Sequence, residues 1–276
     1  MRQPISKWRM CAVAALALVL TSMAPMVWAD DDDDDEIPFD EAHLFFELNN
    51  TDGDLGIHAL IDGDAWKRLE IEDPRERKML DVRVSGRLGR QGLTEIFFES
   101  AEPTFDELSP KKFFRRFKEG IYEVEGKTLE GEELESEVLL THVMPAPAET
   151  FVNGLPEGKQ CDDEKPGFDA PETSAPVTIS WLPVEKSHPD PDGGGAGVQP
   201  PVEVVIHNYE VVLEVEVEVE GEEFTSVMHV VLPPGETSLT VPAEFIAQGD
   251  EFKYEVLARE ESFNQTAVES CFVLEE

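Results

Sequence analysis

From Leu213 to Glu220 an aliphatic residue alternates strictly with glutamate, and no other stretch limits the possible folds as tightly. Successive side chains on an extended chain point to opposite faces, so Leu213, Val215, Val217 and Val219 share one face and the glutamates share the other. Wound into a helix of about 3.6 residues per turn, the same residues would spread around the whole circumference and leave no apolar stripe. The segment is therefore predicted as a long half-buried strand, valines against a core and glutamates in water. Like charges spaced about 6.7 Å apart along one face repel one another at low salt. They also discourage edge pairing with a second molecule, which a bare valine strand invites. An acidic stripe for a basic partner or for cations is the alternative use of the same row.

Short apolar runs separated by Gly, Asp, Asn and Pro recur along the rest of the chain, the pattern of an all-β protein. Residues 40–147 read as one β-sandwich-like domain. Its strands fall at 44–48, 57–61, 66–71, 79–88, 93–99, 120–124 and 137–143. Turns are expected at Asn49-Asn50-Thr51-Asp52-Gly53-Asp54 and again at Asp62-Gly63-Asp64. The one predicted helix covers 107–118, with Ser109 as its N-cap and Pro110 in its first turn. Pro145-Ala146-Pro147-Ala148 marks a boundary, and 148–175 reads as an irregular linker. A second domain is expected over 176–276. It opens with a strand on which Val177, Ile179 and Trp181 alternate, then a loop at 187–201 whose glycines and prolines cannot join a ladder. The long strand follows, turns at Gly221 and returns over 224–232.

The first 29 residues have the form of a secretory leader. Arg2, Lys7 and Arg9 precede an apolar stretch, and Val27-Trp28-Ala29 has the small-residue pattern of a cleavage site. Cleavage after Ala29 would place the mature chain outside the cytoplasm, secreted or periplasmic. The apolar stretch is short for a bilayer span and Pro25 interrupts it, and no later segment is long and apolar enough to serve as one. Residues 30–39 begin with an acidic run that reads as a disordered tail.

The whole chain carries 60 acids against 22 bases, a formal charge of −38. That balance excludes nucleic acid as a partner, because phosphate is neutralised by lysine and arginine. Solubility accounts for such acidity, and so does capture of Ca²⁺, which prefers oxygen ligands. Two cysteines remain after the leader, Cys161 and Cys271. An exported compartment permits a disulfide between them, which would tie the linker to the last strand; two free thiols are the other possibility.

Residues 176–274 resemble a fibronectin type III domain. Pro176-Val177-Thr178-Ile179-Ser180-Trp181 is similar to that family's second strand with its core tryptophan, Tyr209-Glu210-Val211 to the start of its third, and Tyr254-Glu255-Val256-Leu257-Ala258 to its penultimate strand. The resemblance implies that Trp181, Tyr209 and Tyr254 are fold-defining core residues rather than reacting groups. It also implies a role in binding protein or glycan partners. The long loop at 187–201 and the glutamate row depart from the family pattern.

No sequence signature of catalysis is present: no Gly-x-Ser-x-Gly, His-Glu-x-x-His, phosphate loop or Cys-x-x-Cys. The six histidines are scattered with no metal-ligand spacing. The best site candidate is the turn in which Asn50, Asp52 and Asp54 alternate as the first ligands of an EF-hand loop do. The match then lapses, with Leu55 where the loop needs glycine and no glutamate at its twelfth position. An Asx-rich turn explains the same residues. Asp62 and Asp64 would join them in a Ca²⁺ site if the two turns met at one end of a sandwich. The triplets Asn49-Asn50-Thr51 and Asn264-Gln265-Thr266 fit the N-glycosylation pattern, by chance if the host is bacterial.

The expectation is an exported, non-enzymatic binding or scaffold protein of two tandem β-sandwiches, the second fibronectin type III-like, with no cofactor unless Ca²⁺. A Ca²⁺-dependent binding module and an accessory module of a secreted hydrolase are the alternatives.

Overall fold

The computed structural model describes residues 36–161, 168–189 and 201–275. The leader, residues 30–35 of the acidic tail and the centre of the 187–201 loop lie outside the described residues. Among the described residues the protein is all-β, with 57% strand and 5% helix.

The first strand, β1 (Glu41–Asn49), pairs antiparallel with β2 (Asp54–Asp73). β2 runs for 20 residues, straight through Asp62-Gly63-Asp64, where the sequence predicts a turn. The turn residues there produce a register shift between Asp62 and Trp66 instead of a reversal. Buried side chains on both sides, Ile61 and Trp66, hold the chain extended. Next come β3 (Arg77–Arg83), which pairs with the second half of β2, and β4 (Leu93–Glu99), which pairs mainly with the first half.

The predicted helix shrinks to α1 (Pro110–Phe114), and Ser109 makes no side-chain cap. Lys111 and Arg115, like Lys112 and Arg116, repel at the i,i+4 spacing of a longer helix. Phe113, Phe114 and Phe117 anchor the segment by packing around the ring of Phe46. β5 (Gly120–Thr128) and β6 (Glu133–Leu140) then complete the first half, β5 pairing with the second half of β2.

Residues 150–152, expected in an irregular linker, form β7 (Thr150–Val152), followed by the short β8 (Leu155–Pro156) and β9 (Glu172–Thr173). β7 is a strand because β10 (Thr178–Trp181) pairs with it and Val152 is buried beneath. The hairpin β11 (Ile206–Val219) and β12 (Glu222–Leu232) closes on Glu220 and Gly221, both with positive φ. That is the two-residue geometry matching the twist of paired strands. β13 (Ser238–Thr240), α2 (Ala243–Ile246), β14 (Glu251–Glu260) and β15 (Gln265–Leu274) follow.

One sheet runs β12-β11-β14-β15-β1-β2-β5-β6, with β3 and β4 also on β2 and β9 on β15; a second runs β13-β10-β7-β8. The β15–β1 contact is parallel, with Glu47 beside Gln265 and Leu48 beside Thr266. Two apolar clusters sit on this framework. Leu44, Phe46 and Leu48 of β1 pack with Ile57, Trp66, Leu69 and Tyr122. Val152, Ile179 and Trp181 pack with Tyr209, Val211, Leu213, Val215, Tyr254 and Phe272.

The long acidic strand alternates as the sequence predicts, but its core ends early. Tyr209, Val211, Leu213 and Val215 are buried, Val217 is half-buried and Val219 is exposed. β14 accompanies β11 only as far as the pair Val215–Phe252. Beyond that point, among the described residues, only β12 pairs with the strand, and the hairpin tip projects past the core.

Candidate functional site

Directly paired residues on neighbouring strands project to the same side of a sheet. Gln265 pairs with Glu47 on one side and with Arg259 on the other, while Phe45 pairs with His58. Strand alternation puts this set on the face opposite Phe46, Leu48, Thr266 and Ala258, which face the cores. The second face therefore carries polar groups from distant parts of the chain.

They form one continuous row. His229 Nε2 of β12 lies 2.9 Å from Glu210 Oε2 of β11, and Arg259 Nη2 of β14 lies 2.8 Å from Glu210 Oε1. Arg259 Nε donates to Gln265 Oε1 of β15 at 2.8 Å, and Gln265 Nε2 donates to the Glu47 carboxylate of β1. Glu47 Oε2 is 3.7 Å from His58 Nδ1 of β2, and His58 Nε2 is 2.9 Å from Glu102 Oε1. The row crosses six strands. The Arg259 guanidinium also stands 5.4 Å over the Phe45 ring, a cation–π contact in a partly dry setting. Burial, opposed by Glu210 and Glu47, lowers its pKa.

The Glu47–His58–Glu102 end brings three potential metal donors within 4.8 Å of one another. His58 is only 4% exposed. Its ring sits between Phe45 at 5.4 Å and the edge of Phe97 at 6.0 Å. Glu102 reaches it from the loop after β4 by lying across Gly56, where a Cβ would collide with its carboxylate. Gly56 pairs with Glu47, so the missing side chain opens the gap between the two acids. Burial raises the Glu47 pKa against the pull of His58. Asp54 is pushed up to about 6 by burial and by Glu102, Asp52, Glu269 and Glu47. Farther along the same face, burial and then Glu47, Glu269 and Glu214 push Glu255 up to about 8. This face holds more negative charge than its own cations balance.

The five residues proposed from sequence for Ca²⁺ do not assemble. The Asn49 side chain caps the turn, accepting from the backbone N–H of Thr51 at 3.0 Å and of Asp52 at 3.1 Å. Asn50 Oδ1 is 3.0 Å from His188 Nε2. Asp62 pairs with Glu41 and Glu95, eight strand positions and so about 26 Å from Asp54. Asp64 is exposed beyond it. Only Asp54, with Asp52 in its electrostatic reach, borders the Glu47–His58–Glu102 cluster. No local motif marks those three residues, which are 11 to 55 positions apart. The one local hint was a glycine inside a strand.

Cys161 and Cys271 are disulfide-bonded, with Cα atoms 5.6 Å apart. Trp181, Tyr209 and Tyr254 are all buried. The Tyr209 hydroxyl accepts from the Val184 N–H at 2.9 Å, and the Tyr254 hydroxyl bonds Thr150 Oγ1 at 3.1 Å. Both phenols are thus structural. Asn264 of the second glycosylation-like triplet is fully buried and hydrogen-bonded throughout.

No protein-family model matches the chain, and no curated protein matches it. Among solved structures it is similar to a tetra-tandem repeat in the extending region of a large adhesion protein, with a TM-score of 0.23 and 14% identity over 85% of this chain and 50% of that one. It is also similar to a bacterial ice-binding adhesin, with a TM-score of 0.21 and 11% identity over 87% of this chain and 66% of that one. The chain spans about half the length of the first and about two thirds of the second. Overlap this low transfers neither fold detail nor function. Among the described residues no helix is long and apolar enough to cross a membrane.

Proposed function

We propose that this chain is an exported, non-enzymatic binding module that takes up an extended segment of a protein partner along β12. The observation that carries this reading is the free edge of the long sheet. β12 is an 11-residue strand at the end of the sheet order, and among the described residues nothing pairs with its outer side. Val227 and Val231 are 54% and 57% exposed on one face of it, with His229 between them. An unpaired edge offers main-chain donors and acceptors to an added strand, and alternate side chains select which strand. Glu214, exposed on the neighbouring strand, pairs across from Val227, so the face favours a segment that carries apolar residues and bases.

The strand orders β13-β10-β7 and β12-β11-β14-β15 support the fibronectin type III resemblance of the C-terminal half, since two sheets of this order are an immunoglobulin-like sandwich. The leader-like N-terminus supports export.

Hydrogen exchange with and without partner captured from the native surroundings tests the proposal. Protection concentrated on the β12 amides supports it, and so does loss of capture in Val227→Lys/Val231→Lys. Capture unchanged in that variant, with no protection on β12, rejects it.

A further inference from the structure

We propose that Glu47, His58 and Glu102 form a site for one divalent transition-metal ion of the Zn²⁺ class, independent of the β12 edge. The three donors come from β1, β2 and the loop after β4, so the fold and not a local motif brings them together. Their spread of at most 4.8 Å is close to the roughly 3.3 Å between donors around a tetrahedral ion with bonds of about 2.0–2.2 Å. Glu102 is carried on a loop, so its side chain is the one that would turn to close the difference.

Three further features suit a metal. His58 is buried, with its ring packed against Phe45 and Phe97, and Nε2 lies 2.9 Å from Glu102 while Nδ1 faces Glu47 at 3.7 Å, so each ring nitrogen already has a carboxylate beside it. Glu47 is itself oriented by the Gln265 amide, the outer-shell support that ligating carboxylates have. Gly56 leaves room for Glu102 to lie across the sheet, space that any side chain would fill. Charge points the same way. Asp54 and Glu99 add to the negative field, while Arg259 is tied to Glu210 and Gln265. A divalent ion would offset that excess. An imidazole donor with two carboxylates selects Zn²⁺ or a neighbouring first-row ion over Ca²⁺, which takes oxygen.

The test uses the untagged full chain, stripped with a chelator and titrated with ZnCl₂ by calorimetry, with thermal melts alongside. One saturable equivalent and a raised melting temperature are expected, with no comparable response to CaCl₂. Co²⁺ should give visible absorption bands of mixed nitrogen and oxygen coordination. His58→Gln and Glu102→Gln should each weaken Zn²⁺ binding at least tenfold, and His207→Gln, at an exposed histidine near the start of β11, should leave it unchanged. Glu102 sits on a loop, so its variant decides the matter if the buried His58 variant does not fold. No saturable Zn²⁺ binding below ~100 µM overturns the proposal, as does binding that survives Glu102→Gln. Equal stabilisation by Ca²⁺ also overturns it and leaves only a carboxylate cluster.

Discussion

Gln265 on β15 donates its side-chain amide to the carboxylate of Glu47 on β1, across the parallel contact where the two halves of the long sheet meet. The two residues are 218 positions apart. One position earlier, Asn264 fastens the same junction. Its Oδ1 accepts from the Phe46 N–H at 2.8 Å, and its Nδ2 donates to the carbonyls of Thr141 at 3.1 Å and Val143 at 3.0 Å.

Asn264→Ala strips partners from a buried N–H and from two carbonyls at once. A loss of about 2–4 kcal/mol is expected in urea unfolding. A loss under about 0.5 kcal/mol would show that water or backbone movement replaces the clamp.

Stability should fall as pH rises from about 4.5 to about 8. The Glu255 carboxyl is held at about 8 in the fold against an ordinary 4.5, and Asp54 at about 6 against 3.8. The folded state holds these protons more tightly than the unfolded chain, so the benefit is complete below the unfolded values and gone above the folded ones. Melting temperatures in chelator should drop across that window, and Glu255→Gln should flatten its upper part. A curve that rises towards pH 8 in both proteins would contradict the assignment.

The disulfide links residues 110 positions apart. Closing so long a loop restricts the unfolded chain by an amount worth at most about 4–5 kcal/mol. Reductant should therefore lower the melting temperature of the native chain and leave Cys161→Ser/Cys271→Ser unaffected; an equal shift in both would trace the effect to the reductant itself.

At the hairpin tip Glu218 lies directly opposite Glu223. Glu223→Lys turns repulsion into attraction and should stabilise by about 0.2–1 kcal/mol at low salt. The gain should vanish near 1 M salt, where exposed charges are screened. A gain that persists there would mean packing, not charge, is responsible.

The early end of the core separates two valines on one face. Val215→Ala opens a cavity beside Phe252 and should cost about 2–3 kcal/mol, whereas Val219→Ala should cost close to nothing. Equal costs would place a packed layer under the tip.

What the sequence determined by itself was the class of structure and the two faces of its most regular strand. The alternation through Leu213–Glu220 specifies a strand with one apolar face, because period 2 is a local property of an extended backbone. Such local signals also misled. Asp62-Gly63-Asp64 has turn chemistry, yet the chain stays extended because Ile61 and Trp66 are both buried. Residues 150–152, Thr-Phe-Val, have strand-forming side chains, but the run is too short to stand as a strand by itself and becomes one through β10. The row from His229 to Glu102, and the Glu47–His58–Glu102 cluster at its end, was decided by tertiary structure alone. Its members meet only because packing of Leu48, Thr266 and Ala258 on the opposite face sets how β1, β15 and β14 align. A slip of one residue there would turn Glu47 or Gln265 into the core. The register that protects the apolar face is thus the same register that assembles the polar one.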